Sequence, residues 1–529
     1  MPGWRALMNH QRRTNKIILD KQFHFSLTKL VSGLHPFLFF LGAALFLYPR
    51  TSVITSPDQI IRPVLVIWLL LVPVKILLNG IVKDSTWTDI LLSIFILGIC
   101  SPPKYFFAAV IVSIVVFIIW FIGLRLKLIR GTPNMPGGLL TLIGLTLVVI
   151  MILPIIRQSF SIPSLPKAPI SPIKLTSRNP LPDIYFIILD GYGRADVLEE
   201  LYDFNNSDFI HFLEGKGFVV PSSSQSNYPK TTLSVPSTLN LDYIQSLFPV
   251  LTDQPFWWLM SPYIDNSRVR VSLERLGYVS ISIATDWGIT DNPTTNLYYS
   301  PRSIVLTDFE YFFLSKVPLG FIKPWLSKIA LIPTYATHRE LIQYNFQTLA
   351  KIPNQPGPKF IFAHIIAPHP PFVFDSQGDS IQPDSPFSFN DANDFYGDPD
   401  TYQQGYISQM KYVNLELENL VETLLKNSEI PPIILLQADH GPGMLTNFHS
   451  SEKTCLKERF STFAAYYLPG IDSNEIPNDL TMVNLFRIIF NKYFQANLPL
   501  LDNINYYYKD TVDIYLTENV TSKVNTCTR

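Results

Sequence analysis

Apolar blocks separated by short polar breaks fill the first third of the chain: Val31–Tyr48, Ile61–Leu78, Thr88–Cys100, Tyr105–Leu124 and Leu139–Ile156. Four of them have the roughly 17–20 residues that a helix needs to cross the hydrocarbon core of a bilayer. The third block is short for a crossing, and the distribution of basic residues decides whether it counts. Residues 1–30 carry Arg5, Arg12, Arg13, Lys16, Lys21 and Lys29 against Asp20. They have no early apolar core and no small-residue cleavage site, so they read as a basic cytoplasmic leader rather than a removable signal peptide. Arg125, Lys127 and Arg130 form the next basic cluster. Both clusters belong on the cytoplasmic side, which requires an even number of crossings between them, and counting the short block satisfies this. The pattern therefore predicts a five-span module over 31–157 with its last span running outward. A re-entrant third block would reverse that orientation. Residues 158–182 follow with Pro163, Pro166, Pro169, Pro172, Pro180 and Pro182, a density that resists helix and sheet and makes a stiff spacer.

At Asp183 the pattern changes. Short β-branched runs ending in turn residues now alternate with helical periodicity. Strands are predicted at Asp183–Leu189, Tyr278–Ala284, Lys359–Ala367, Ile433–Leu436 and Thr462–Leu468. Helices are predicted at Ala195–Tyr202, Phe209–Lys216, Arg268–Leu276 and Gln403–Leu425, with another running from the Thr231 region toward Leu247. Strands alternating with helices indicate an α/β domain, residues 183–500, with a largely parallel sheet flanked by helices. Residues 501–529 form a polar, tyrosine-rich tail to which the pattern assigns no role.

Composition supports the split. Of 529 residues, 47% are hydrophobic and only 16% charged, and the mean hydropathy of +0.19 is too apolar for one soluble globule. A formal net charge of −1 gives no bulk nucleic-acid footprint. Cys100 falls in an apolar block, Cys455 and Cys527 are free to bridge or not in an oxidising compartment, and no CxxC pair marks a thiolate zinc site. Asn205 and Asn519 lie in glycosylation sequons, which are informative only in a eukaryotic secretory setting.

Candidate chemistry sits at strand ends. Asp439-His440-Gly441 follows the run Ile433–Leu436, where open α/β sheets place ligands. An adjacent carboxylate and imidazole are poor core residues and good ligands for Zn2+ or Mn2+, although a surface turn could use the same residues. Asp190 ends the first strand in the same manner, and its bland reading is a turn bonding its own backbone. Lys230-Thr231-Thr232-Leu233-Ser234-Val235-Pro236 opens a helix. Hydroxyls there commonly cap the helix, but the same geometry suits a phosphate. A threonine hydroxyl held beside a cation there would lose its proton more readily and become a nucleophile. His364, His369, His440 and His449 fall at or after strand ends, and together they suggest a site for an anion and a metal.

The order Asp190, Thr231, His369, Asp439-His440, His449 resembles the alkaline phosphatase superfamily, in particular its sulfatase-like membrane branch of lipoteichoic acid synthases and lipid A phosphoethanolamine transferases. Thr231-x-x-Ser234-x-Pro236 and Asp439-His440-Gly441 are the most specific pieces. The likeness extends to layout, since that branch joins a five-span module to an outer catalytic domain. The resemblance implies that Asp190, Thr231, Asp439 and His440 bind a metal and that Thr231 is the nucleophile. It further implies that His369 and His449 are substrate or leaving-group residues. His364, Lys230 and Thr232 are left for substrate contact or a second metal. Two departures matter. The Cys or Ser followed by x-Pro-x-Arg that sulfatases convert to formylglycine is missing, and Ile365 stands where two-metal members carry Asp. A single divalent ion, Zn or Mn with Mg or Ca as alternatives, is therefore expected.

The expected function is phosphoryl-group transfer from a membrane-lipid donor to a glycan, lipid or water acceptor. It would proceed through a phosphothreonine, in the cell envelope outside the cytoplasm. Two alternatives stand beside it: a phosphatase, phosphodiesterase or sulfatase acting on soluble esters, and a non-catalytic envelope protein that binds an anionic polymer.

Overall fold

A computed structural model describes residues 31, 33–100, 135–162, 165, 167, 170–176, 180–249, 255–302, 306–316, 333–509 and 513–527. The leader, the block Tyr105–Leu124 and the basic cluster at Arg125 lie outside the described residues. The chain forms two compact units, Met1–Ile162 with Leu306–Lys328, and Pro163–Val305 with Ile329–Arg529.

The first unit is helical: α1 (His35–Leu47), α2 (Ile61–Val82), α3 (Ser85–Ile99) and α4 (Met135–Ser161). Asp84 starts α3 as a true cap, its carboxylate accepting from the amides of Thr86 and Trp87. Two stretches are long and apolar enough to cross a membrane, Pro57–Val82 and Gly137–Phe160. Leu69, Ile76, Leu77 and Ile81 of α2 stay exposed, as a lipid-facing surface would. Thr141 at the start of α4 donates to the Val31 carbonyl, and Gly144 and Gly42 lie against Leu38 and Leu147, so α1 and α4 run in the same direction. Trp68 of α2 reaches Phe37, and Lys75 reaches Gly33, so α2 runs against them. The helix Asp308–Lys316, which the hydrophobic pattern had not separated from the outer domain, belongs to this unit. Its Phe309 and Phe313 share a core with Phe40, Tyr48 and Leu92, and its Glu310 accepts from Arg62 Nε at 2.7 Å.

The second unit is an α/β fold. Its strands are β1 (Ile184–Leu189), β2 (Val279–Ile283), β3 (Leu297–Tyr299), β4 (Lys359–Ile365), β5 (Ile433–Gln437) and β6 (Ala464–Tyr467), ordered β3-β2-β4-β1-β5-β6. All neighbours are parallel except β5 and β6. β1 is central and buried at every position. Its odd-numbered residues Tyr185, Ile187 and Leu189 face one core, with α5 (Ala195–Tyr202), α6 (Ser207–Gly215), α9 (Tyr335–Leu349) and α10 (Pro399–Asn427). Ile184, Phe186 and Ile188 face the other, with α7 (Thr231–Asn240), α8 (Arg268–Arg275) and α12 (Met482–Phe494). That is why the strand reads as an unbroken apolar run rather than an alternation.

Three local expectations change. α7 stops at Asn240, where Leu241 takes a left-handed φ of 59°, instead of running toward Leu247. β3 went unread because three half-exposed residues carry little pattern. The described part of the tail is structured: β7 (Tyr506–Tyr508) pairs with β8 (Thr517–Asn519), and Cys527 is disulfide-bonded to Cys455, the residue that precedes α11 (Leu456–Phe460).

Candidate functional site

The carboxyl ends of β1 and β5 are neighbours in the sheet, so Asp190 and Asp439, one and two residues past those strands, converge. Among the described residues, Asp190, Asp439 and His440 are the one group of three whose ligand atoms fit around a single ion, all within 4.8 Å of one another and all buried. His440 Nε2 lies 3.4 Å from Asp190 Oδ1 and 3.5 Å from Asp439 Oδ2. Its Nδ1 is 3.0 Å from the Gly441 carbonyl, which orients the ring with Nε2 inward. Asp190 Oδ1 is buried with no hydrogen-bond partner. Two buried carboxylates, one with an unsatisfied oxygen, beside an inward-facing imidazole are a donor set that a divalent cation satisfies and that protein groups alone leave incomplete.

Thr231 is the first residue of α7, after Lys230 as the extended N-cap residue. Its hydroxyl donates to Asp439 Oδ2 at 2.6 Å and lies 3.3 Å from His440 Nε2. The first backbone bond of this helix start runs from Leu233 to the Lys230 carbonyl. The preceding turn therefore carries uncommitted amides and positive potential, as anion sites at helix starts do. Thr232 is buried beside it. Gly191, at φ 71°, lets the β1 turn pass against His369, and its amide donates to Asp439 Oδ1 at 3.2 Å. A Cβ at Gly441 would strike the Glu458 carbonyl, and one at Gly443 the Asp391 carboxylate, so the glycines of the Asp439 loop are required by close approach.

The histidines separate. His364 is buried in β4, with Nε2 3.2 Å from Asp190 Oδ2 and Nδ1 2.8 Å from Thr290 Oγ1, so it braces a candidate ligand from behind. His369 is half-buried, with Nδ1 2.5 Å from the Pro370 carbonyl, Nε2 3.7 Å from Asp391 Oδ2 and its ring centre 6.2 Å from that of His440. His449 stands exposed on the loop after β5, outside the buried cluster. His364 and His369 both act on Asp190, and His449 does not join them.

Residues that sequence reasoning passed over complete the wall. Arg459 of α11 is fully buried. It donates to Asp391 Oδ2 at 2.8 Å, to the carbonyls of Gly441 and Pro229, and approaches His440 Nε2 at 3.4 Å. It thus ties the Asp439 loop to the segment entering α7. Tyr402 of α10 donates to Asp391 Oδ1 at 2.7 Å. Neither Asp391 nor Arg459 stands in a recognisable local motif, and they meet only through the fold.

Electrostatics follow from this packing. Burial alone would raise the Asp190 carboxyl, but His369, His364 and His440 around it hold it well below the usual carboxylate range. Burial opposes ionisation of Asp391 as well, and Arg459, His369 and His440 bring it down to about 2. His440 is pulled below its ordinary value by burial and by Arg459, which keeps the imidazole neutral and able to act as a ligand. Burial, then Arg459, draws the half-buried Lys230 ammonium down to about 7.

The sequence family described as sulfatase matches residues 182–488. A search of curated protein sequences finds no match. Among solved structures, the C-terminal periplasmic domain of EptC from Escherichia coli aligns with 12% identity and a TM-score of 0.42, over 65% of this chain and 93% of that one. The integral membrane protein lipooligosaccharide phosphoethanolamine transferase A from Neisseria meningitidis aligns with 11% identity and a TM-score of 0.40, over 78% of this chain and 70% of that one. A 2-O GAG sulfatase aligns with 14% identity and a TM-score of 0.37, over 61% and 72%.

Proposed function

This chain belongs to the sulfatase family, and from that premise we propose that it is a membrane-anchored, metal-dependent phosphoryl-group transferase working outside the cytoplasm through a phosphothreonine at Thr231. The observation that carries the proposal is the Thr231 hydroxyl, 2.6 Å from Asp439 at the head of α7 and beside the buried cluster of Asp190, Asp439 and His440. The absence of a Cys or Ser followed by x-Pro-x-Arg turns the reading away from formylglycine-dependent sulfate-ester hydrolysis.

Asp190, Asp439 and His440, with Thr231, would hold one divalent ion, Zn or Mn in preference to Mg or Ca given the imidazole. When bound, such an ion supplies Lewis acidity that favours the ionised threonine and offsets charge on phosphoryl oxygens. The chain's own groups do the rest. Thr231 Oγ attacks phosphorus in line, and its proton leaves through Asp439 Oδ2, the atom that accepts it in the structure. An Oγ–P bond forms and the bond from phosphorus to the leaving alcohol breaks. His369 Nε2 protonates that alcohol, while Nδ1–H held on the Pro370 carbonyl fixes the ring. The amides at the start of α7 offset the charge gathered on the phosphoryl oxygens, while Arg459, committed to Asp391 and to the Gly441 and Pro229 carbonyls, holds the Asp439 loop in place. In the second half His369 takes the proton of the acceptor hydroxyl, which attacks the phosphothreonine and restores Thr231.

A membrane-lipid donor is favoured by the apolar first unit and the proline-rich spacer, which would place donor and site in one leaflet. The acceptor is a glycan or lipid hydroxyl, or water. The Cys455–Cys527 disulfide favours an oxidising compartment. The shared direction of α1 and α4 is what a five-span module with its last helix running outward requires. Intact mass spectrometry of the purified chain after incubation with membrane lipids tests the reading. An added mass located on Thr231, absent from Thr231→Ala, is expected and identifies the transferred group. A Thr231→Ala protein that still turns over refutes it.

A further inference from the structure

One cation beside the site sits among rings instead of in an ion pair. Lys230 Nζ lies 4.5 Å from the ring centre of Trp257, 4.5 Å from that of Phe448 and 5.0 Å from that of Tyr508. Among the described residues no carboxylate lies within ion-pair distance of it; Asp394 and Asp391 act on it from farther off, and Asp391 is already engaged by Arg459 and Tyr402. Trp257 Nε1 is buried with no hydrogen-bond partner. The Tyr508 hydroxyl is likewise buried without a partner, so the box presents the ammonium and the indole N–H as donors beside one phenol that can donate or accept. Its walls come from three distant stretches: Trp257 after β1, Phe448 in the loop after β5, and Tyr508 in the tail, which the Cys455–Cys527 bridge ties to the start of α11. Phe448 is shared, with the Arg459 guanidinium 5.3 Å from the same ring. The box thus stands one ring away from the groups that line the candidate metal cluster.

Three rings around an ammonium are the usual receptor for a cationic ligand. Here the chain's own lysine fills it. We propose that Lys230 in this aromatic box selects the part of the substrate next to the reacting phosphoryl group, accepting an anionic or electron-rich group and rejecting an ammonium. The proposal rests on the phosphoryl-transfer reading above and adds a substrate class to it. An anion entering the box finds an ammonium and an indole N–H that protein acceptors leave unused. A trimethylammonium or primary ammonium group finds its aromatic seat taken and a like charge in it.

Calorimetric binding of three phosphate monoesters to the full chain in detergent tests this without turnover. Phosphocholine, glycerol 3-phosphate and 3-phosphoglycerate share a phosphate and differ in a cationic, neutral or anionic flanking group. The wild-type protein should bind phosphoglycerate most tightly and phosphocholine least, with roughly tenfold separating the extremes. Lys230→Met, which puts an apolar chain among apolar rings, should abolish that order and favour phosphocholine, whereas Lys230→Arg should keep it. Lys230→Gln replaces the methionine variant if that protein does not fold. An unchanged order in the neutral variant, with phosphate binding intact, overturns this proposal alone. Failure of the wild-type protein to bind any of the three overturns it together with the phosphoryl-transfer reading.

Discussion

The two units bury charge in opposite ways. In the helical unit Lys75 Nζ lies 2.7 Å from Asp89 Oδ1, and His35 Nδ1 lies 2.5 Å from Ser93 Oγ, one positive or donor group for each negative or acceptor group. Such pairs join helices, as polar contacts between apolar segments do. In the α/β unit Asp190 and Asp439 converge with a neutral histidine, and an Asp190 oxygen is left unsatisfied. The first arrangement balances its charge within the protein, a carboxylate against an ammonium, although His35 Nε2 is left without a hydrogen-bond partner. The second is complete only with a cation. The difference separates polar groups that hold a fold from polar groups that wait for a ligand, and burial alone does not make that distinction.

The sharpest way to break the comparison is to remove what completes the second cluster. Chelation should lower the melting temperature of the wild-type protein, because an ion binding only the folded state at about 100 times its Kd contributes about 2.7 kcal/mol. Asp439→Asn should melt at one temperature with or without chelator and lose metal content measured by elemental analysis. An Asp439→Asn protein that retains its metal would remove Asp439 from the ligand set.

The Asp391–Arg459 pair lies beside the site but resembles the pairs of the helical unit, since its partners satisfy each other. Arg459→Leu should cost about 3–5 kcal/mol in chemical denaturation by leaving Asp391 buried and alone. Adding Asp391→Leu should recover part of that loss. Equal stability of the single and double variants would mean that Arg459 acts through its carbonyl contacts with Gly441 and Pro229.

The smallest effect is expected in the helical unit. Asp89→Leu should cost about 1–2 kcal/mol in detergent, and Lys75→Leu/Asp89→Leu should be close to wild type, with turnover unchanged in both. Loss of turnover in the double variant would place chemistry in the helical unit and erase the contrast.

How far the chain could be read in advance differed by element. β1 and β5 were legible because a central parallel strand is apolar on both faces, and their ends located Asp190 and Asp439-His440. Thr231 was legible because hydroxyls at a helix start are a local signal. The different places of the histidines were not legible. His364 lies within β4, braced on Asp190 and Thr290; His369 follows a turn; and His449 is on an exposed loop, although all three look alike in a list of residues near strand ends. The tail had no readable role because the partners of Tyr508 lie far away in sequence.

Periodicity and short motifs act within about ten residues, so the chain by itself determined the apolar helices, the α/β class and three separate fragments of a site. Bringing those fragments to one point, pairing Arg459 with Asp391, closing three rings around Lys230 and joining Cys455 to Cys527 required contacts across tens to hundreds of residues, 68 for Arg459 with Asp391, 72 for the disulfide and 208 for Thr231 with Asp439. Only the tertiary structure decides these, because each partner alone is an ordinary polar or aromatic residue whose energy depends on what the fold sets beside it.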